Sequence, residues 1–318
     1  MEYCEAYEPL KLMHTVIEVT NEVCFSYKLS LNVQNTRQNM AVSNPLPPPE
    51  AVYNVVSVSA LKNSRRKMED RHIVVHDLNT IFTKQDATPS HYYAVFDGHD
   101  GEDAAVYSAN HLHQFLAEST NFITEPEQAL RDAFCRTDSM FLSKCESENI
   151  VGGTTAVCAL LLPKEKTLYI AWTGDSQAVL VSQGKVKQCV RPHKPDREDE
   201  RLRIEKEGGV VIHWGIWRVN GQLGVSRAIG DAQYKPYVTA VPDIVKISLR
   251  PEDDFFVLGS DGLWDHVSEV DVAKVVYDAA WSCPELVLNS VIGRGYDDKI
   301  GAFIEVSVVG MSITGVKF

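Results

Sequence analysis

Three times along this 318-residue chain an apolar run ends at an aspartate beside glycine. HYYAVF leads into Asp97-Gly98-His99, LYIAWT into Gly174-Asp175-Ser176, and FFVLGS into Asp261-Gly262, with Asp265 four residues further on. A single Asp-Gly pair is an ordinary turn. Three of them, each closing a run that reads as a buried strand, put carboxylates where burial is expensive unless a cation or a hydrogen-bond network compensates it. With Glu69-Asp70 in RRKMEDRH and Asp298 near the C-terminus, seven acids become candidates: Glu69, Asp70, Asp97, Asp175, Asp261, Asp265 and Asp298. All-oxygen ligands with no cysteine and little histidine suit hard cations, Mg²⁺ or Mn²⁺, rather than zinc or copper. His99, two residues after Asp97, is better suited to donate a proton than to bind a soft metal; the plainer reading is a turn histidine that caps a helix. Arg65, four residues before Glu69, could grip phosphate oxygens bidentately, although a surface Arg-Arg pair is the commoner outcome.

Positioning these groups needs strands and helices in a particular mixture. Short β-branched or aromatic runs recur (VVSVSAL, HYYAVF, TTAVCALLL, TLYIAWT, AVLVS, DFFVLG) and predict strands. Ala105, Ala109, Leu112 and Leu116 share one helical face, as do Leu130, Phe134, Thr137 and Phe141. Glu200 to Lys206, followed by Gly208-Gly209, predicts a short charged helix stopped by glycine. Ser268 and Asp271 form a capping-box pattern that opens a helix through Ala280. Strands joined by short turns at Lys164 to Lys166 and Ser182 to Lys185 favour an antiparallel α+β architecture over alternating βαβ units.

Composition narrows the class. Lys and Arg number 31 against 43 Asp and Glu, a formal charge of −12, which argues against nucleic-acid binding through phosphate attraction and against a polybasic membrane-surface protein. With 44% hydrophobic and 23% charged residues, the chain can bury a large core. No apolar run approaches the roughly 20 residues of a membrane span. The start, MEYCEAYEPLKLMH, lacks the pattern of a secretory signal, and seven scattered cysteines without CxxC spacing predict reduced thiols and a cytoplasmic or nuclear setting. Residues 1–52 stand apart as an N-terminal arm ending in the polyproline-like NPLPPPE, ahead of a domain over 53–318.

The motifs RRKMEDRH, VFDGHDGEDAA, GGTTAVCALL, WTGDSQAVLV, HKPDREDERLRIEKEGG, WRVNGQLGVSRAIGD and GSDGLWD, in that order, resemble those of the type 2C metal-dependent Ser/Thr protein phosphatases. RRKMEDRH and GDSQ look most like the calcium/calmodulin-dependent protein kinase phosphatase subgroup. The resemblance covers Tyr53 to Ile300 and implies a four-layer αββα sandwich, two antiparallel sheets packed face to face between helices. It implies hydrolysis of phosphoserine and phosphothreonine by a hydroxide bridging two Mg²⁺ or Mn²⁺ ions, with a weaker third ion. By this similarity Asp97 bridges both metals, the Gly98 carbonyl binds one, and Asp261 and Asp298 complete the other. Glu69 and Asp70 hold metal-bound waters, and Asp175 and Asp265 support the third ion. Arg65 binds the substrate phosphate, His99 protonates the leaving oxygen, and Trp214 to Gly221 lies beside a substrate-facing flap. HKPD and SRAIGD support the fold and the metal site rather than perform chemistry. The implied partners are phosphoproteins, protein kinases among them, of a monomeric enzyme without nucleic acid.

The match departs from the family pattern at four places, two of them the stretch from Asp265 to Asp298, which is shorter than usual, and the tail VSVVGMSITGVKF, which only loosely resembles the final strand. Asp100 stands where glycine is commonest. In GYDDKIGAF, Lys299 and Gly301 replace the usual Asn and hydroxyl residue after the last metal aspartate, with Asp297 an alternative to Asp298. A catalytically weak or inactive phosphatase fold that binds phosphoproteins is therefore the alternative function.

Overall fold

The computed structural model describes residues 56–62, 65–82, 89–282 and 306–312. The N-terminal arm and Asp297, Asp298, Lys299 and Gly301 lie outside the described residues. The first strands and helices are β1 (Val56–Leu61), β2 (Arg71–Val75), α1 (Leu78–Ile81), β3 (His91–Phe96), β4 (Gly98–His99), α2 (Asp103–Glu118) and α3 (Pro126–Glu148). There follow β5 (Gly153–Thr154), β6 (Ala156–Leu162), β7 (Thr167–Thr173), β8 (Gln177–Ser182), β9 (Lys185–Gln188), α4 (Glu198–Lys206), β10 (Val211–Trp214), β11 (Ile216–Val219) and β12 (Ile229–Gly230). The last are β13 (Asp243–Ser248), β14 (Asp253–Gly259), α5 (Asp261–Trp264), α6 (Glu269–Ser282) and β15 (Val306–Ser312).

Two five-stranded antiparallel sheets carry the fold, one in the order β1-β15-β14-β8-β9 and the other β13-β7-β6-β3-β2. Strand alternation divides their side chains between three apolar layers. From β3, Tyr93 and Val95 point between the sheets, where they join Val157, Leu161, Ile170, Leu180, Phe256 and Leu258. The rings of Tyr93 and Phe256 meet edge-on across the sheets, centroids 5.7 Å apart. The alternate residues Tyr92, Ala94 and Phe96 face outward and are covered by α2 and α3 through Leu112, Leu116, Leu130 and Phe134. On the far side, Val179, Phe255 and Val257 are covered by α5 and α6 through Leu263, Val272 and Val275. The expected αββα sandwich is thus present.

Both predicted helical faces are buried, Ala105, Ala109, Leu112 and Leu116 on α2 and Leu130, Phe134, Thr137 and Phe141 on α3. Pro126 sits in the first turn of α3, and Asn149 ends it in the left-handed region at φ 53°. The Ser268 cap forms as predicted: Asp271 N–H donates to its Oγ at 3.2 Å, and that Oγ donates to Asp271 Oδ2 at 2.6 Å. Strands β2 and β13 were not signalled by composition. Both lie at the edge of their sheet, and RHIVV and DIVKIS mix charged and apolar residues accordingly. The hairpin of β10 and β11 is smaller still; it turns on Gly215 at φ 73° and leaves Ile212, Trp214, Ile216 and Trp217 exposed.

Candidate active site

Sheet register brings the acidic junctions to one end of the sandwich. Arg71 pairs with Phe96, Val95 with Val157, and Ala156 with Thr173, so Asp70, Asp97 and Asp175 leave the same end of one sheet. In the other sheet Gly259 pairs with Gln177, which sets Asp261 beside the Asp175 loop. The site is therefore built from both sheets.

Local packing explains the glycines and hydroxyls around it. A Cβ on Gly98 would fall 2.7 Å from the Glu69 carbonyl oxygen, so only glycine lets the loop before β2 lie against β4. Thr155 N–H donates to the Asp97 carbonyl at 2.9 Å, and Thr155 Oγ1 hydrogen-bonds Ser176 Oγ at 2.7 Å, which ties the Asp97 and Asp175 loops together. Ser260 Oγ donates to Asp70 Oδ2 at 2.9 Å and so links the two sheets. Arg71 folds the ME-D segment down by donating to the carbonyls of Met68 and Asp70, each at 2.7 Å, and to Glu102 Oε2 at 2.5 Å. Asp100, the departure from glycine, adopts φ 54°, a left-handed conformation that aspartate tolerates better than most residues.

The electrostatics fit a cation site. Burial, and then the charges of Asp70, Asp261 and Asp175, push the Asp97 carboxyl well above the carboxylate range, and it shares a hydrogen bond with Asp261. Burial and Asp175 push Asp261 up as well. Lys194, from HKPD, pairs closely with the buried Asp175, and the charges of Asp175, Asp261 and Asp265 outweigh burial to raise the lysine. Among the described residues no three His, Cys, Asp or Glu side chains enclose an ion unaided. That donor set still fits Mg²⁺ or Mn²⁺, because Mg²⁺ keeps several waters and takes only one or two carboxylates. Four converging carboxylates, one of them driven toward its neutral form by burial and then by the charges of the other three, are the chemistry a divalent ion would relieve.

The remaining predicted residues are less central. Glu69 is half-buried in the loop before β2, Asp265 is exposed at the end of α5, and Arg65 is exposed on the segment entering β2. Asp298 lies outside the described residues.

His99 has a partner that the motif reading overlooked. Its Nε2 lies 2.8 Å from Oδ2 of the fully buried Asp231, the last residue of SRAIGD. Burial alone would lower the imidazole pKa; the hydrogen bond and charge of Asp231, helped by Asp100 and Asp175, reverse that and raise it. SRAIGD, expected to support the fold and the metal site, therefore also reaches the proposed proton donor. Lys194 was the second omission, hidden in HKPD. Behind both, Glu200 on α4 is buried among Arg197, Arg203 and Arg227.

Comparison with known proteins bears on family and fold. Human protein phosphatase 1F is 48% identical over 222 residues, 70% of this chain and 48% of the relative. Mouse protein phosphatase 1E is 41% identical over 271 residues, 85% of this chain and 34% of the relative. The chain thus spans about half, or less, of the length of these curated relatives, which belong to the calcium/calmodulin-dependent protein kinase phosphatase-like subgroup. Among solved structures, a C. elegans sex-determining protein superposes with TM-score 0.75 at 26% identity, covering 98% of this chain and 76% of that one. Serine-threonine phosphatase 2C from Toxoplasma gondii gives TM-score 0.74 at 21% identity, over 85% of this chain and 98% of that one, a likeness of fold. The protein phosphatase 2C profile matches residues 54–294, the span that holds both sheets' acidic junctions and the His99 pair, and the chain belongs to the protein phosphatase 2C family.

Proposed function

We propose that this chain is a metal-dependent protein serine/threonine phosphatase whose reaction is centred on Asp97. The observation that carries the reading is the gathering of Asp70, Asp175 and Asp261 about the half-buried Asp97 carboxyl. In this reading Asp97, the Gly98 carbonyl, Asp261 and Asp298 would hold two Mg²⁺ or Mn²⁺ ions. Glu69 and Asp70 would hold water beside these ions, and Asp175, which pairs with Lys194, would with Asp265 hold a weaker third ion. The two ions, when bound, supply an acidified water as nucleophile and neutralise charge on the phosphoryl group. Arg65 fixes the phosphate oxygens, and His99 delivers a proton to the departing serine or threonine oxygen. The exposed Trp214 and Trp217 offer an apolar surface to the substrate polypeptide. Phosphoryl transfer needs positioning and charge neutralisation more than a protein nucleophile, which agrees with this residue set.

The test is hydrolysis of a phosphothreonine peptide with Mn²⁺, expected to proceed and to stop on addition of EDTA. Turnover that survives chelation would sink the metal-dependent reading. Absence of turnover at millimolar Mn²⁺, with the phosphopeptide still retained, would instead support the binding module. His99→Ala is expected to slow the alkyl phosphoester on the order of a hundredfold and an aryl phosphate far less, because a good leaving group needs no proton. Equal losses on the two substrates would remove His99 from the general-acid role.

A further inference from the structure

We propose that Asp231 is the positioning residue of the proton donor, holding the His99 ring so that Nε2–H stays turned into the protein and Nδ1 faces the scissile ester. The proposal rests on the reading of His99 given above and extends it to a residue that does not itself meet the substrate.

The geometry is that of a jig. Strands β4, β5 and β12 form a separate three-stranded sheet of two residues each, in the order β12-β5-β4. Its central residue, Gly153, pairs with His99 on one side and Gly230 on the other. This sheet sets the histidine and the residue preceding Asp231 on the two sides of one glycine. A Cβ on Gly153 would fall 2.3 Å from Asp231 Oδ2, so the carboxylate occupies the space that a side chain at Gly153 would fill. Asp231 is fixed in turn by its own N–H, which donates to the Gly152 carbonyl at 2.9 Å, and by a left-handed φ of 56°. A Cβ on Gly152 would strike the His99 carbonyl at 2.6 Å, and one on Gly230 the Gly152 carbonyl at 2.7 Å. Three glycines are thereby committed to keeping one carboxylate against one imidazole.

The chemistry of the pair points the same way. The Asp231 side chain is 0% exposed and that of His99 25%, so the histidine is the member that reaches the site. Asp231 Oδ1 has no hydrogen-bond partner among the described residues, which leaves the His99 contact as the compensation for burying this carboxylate. With Nε2 directed at Asp231, the other ring nitrogen necessarily points away from it. In the leaving-group step the ester O–P bond breaks, Nδ1–H passes its proton to the departing oxygen, and the imidazolium becomes neutral imidazole with Nε2–H retained towards Asp231. A carboxylate behind the ring fixes both the ring's orientation and the nitrogen that keeps its hydrogen.

The experiment compares wild type, D231N, H99A and H99A/D231N on a phosphothreonine peptide and on p-nitrophenyl phosphate at saturating Mn²⁺. For D231N, kcat on the peptide should fall on the order of tenfold to a hundredfold with KM unchanged, while the aryl phosphate stays within about threefold of wild type. On the peptide the double variant should be no slower than H99A, because residues acting as one unit are not additive. Mn²⁺ affinity by calorimetry should match wild type. Equal losses on both substrates, a multiplicative double variant or a silent D231N would each overturn the proposal. If H99A itself shows no difference between substrates, the general-acid reading fails; if H99A shows it and D231N does not, only the role of Asp231 fails. Should D231N not fold, ¹⁵N spectra of the wild-type histidines decide the matter, since His99 Nε2 must carry hydrogen and a bare Nε2 contradicts the proposal.

Discussion

Asp97→Asn is expected to abolish Mn²⁺-dependent turnover, by at least on the order of a thousandfold, or about 4 kcal/mol of transition-state stabilisation, and yet to give a metal-free protein more heat-stable than wild type. The two effects have one cause. Asparagine keeps the shape of the neutral carboxyl that burial and the charges of Asp70, Asp261 and Asp175 favour at this position, but it cannot supply a bridging anion. Because the folded-state pKa is raised, the stability tied to Asp97 is present below the ordinary carboxylate range and is lost as pH rises through the raised value. Metal-free wild type should therefore weaken as the solution is brought from acid to neutral, and the Asn variant should weaken less. Added Mn²⁺ should reverse the order, since an ion at a hundred times its Kd adds about 2.7 kcal/mol to the protein that binds it. Calorimetric melts with EDTA and with Mn²⁺ check both halves. A variant still stabilised by Mn²⁺ to the wild-type extent would show that Asp97 is no ligand.

The largest loss of stability is expected from Glu200→Gln. The Glu200 side chain is 1% exposed, and its Oε1 accepts from Arg227 Nη2 at 2.6 Å and Arg227 Nε at 3.0 Å. Its Oε2 accepts from Arg203 Nη2 at 2.9 Å and from Ser226 Oγ at 2.8 Å. Arg197 approaches the same group at 3.4 Å and, with Arg227, also reaches Asp243. Removing the one anion shared by three guanidinium groups leaves Arg203 without its acidic partner and Arg197 and Arg227 with only the more exposed Asp199 and Asp243, at about 3 kcal/mol, or a fall in Tm on the order of 10 °C for a domain of this size. Burial opposes ionisation of Glu200, but the hydrogen bonds from Arg227 and Arg203 prevail and hold its pKa down to about 2. Its contribution is accordingly complete above the usual glutamate value and is lost as pH falls through about 2. The acid limb of the wild-type stability curve should be steeper than that of the Gln variant. Identical acid limbs would show that Glu200 carries no such linkage.

What could be read from the chain depended on how local each feature is. The faces of α2 and α3 were legible because residues four and three apart must share a side of a helix, and the apolar ones were placed accordingly. Asp97, Asp175 and Asp261 were legible because long apolar strands end abruptly at each. Asp231 repeats that pattern a fourth time, in AIGD, but its strand is two residues long and shows no alternation to notice. Its meaning depends on the register of Gly153 between His99 and Gly230, a pairing of residues far apart in sequence. Glu200 was hidden for a different reason. In DREDERLR it looks like one more charge on a solvated helix, and only tertiary packing turns it, with Ile204, into the buried side of α4.

Asp97 hangs from the end of one sheet and Asp261 from the end of the other, beneath a mostly apolar layer between them. A divalent ion gripped by both would act as a rivet through two plates that otherwise adhere mostly through apolar contact, with the Ser260–Asp70 hydrogen bond at their edge. The plane between the plates, not either plate, is then where the metal-free protein should shear most easily. Amide exchange in β3 and β14 should slow together when Mn²⁺ is added, even at strand positions remote from the carboxylates, while α4 and its arginine cluster keep the pace they had before.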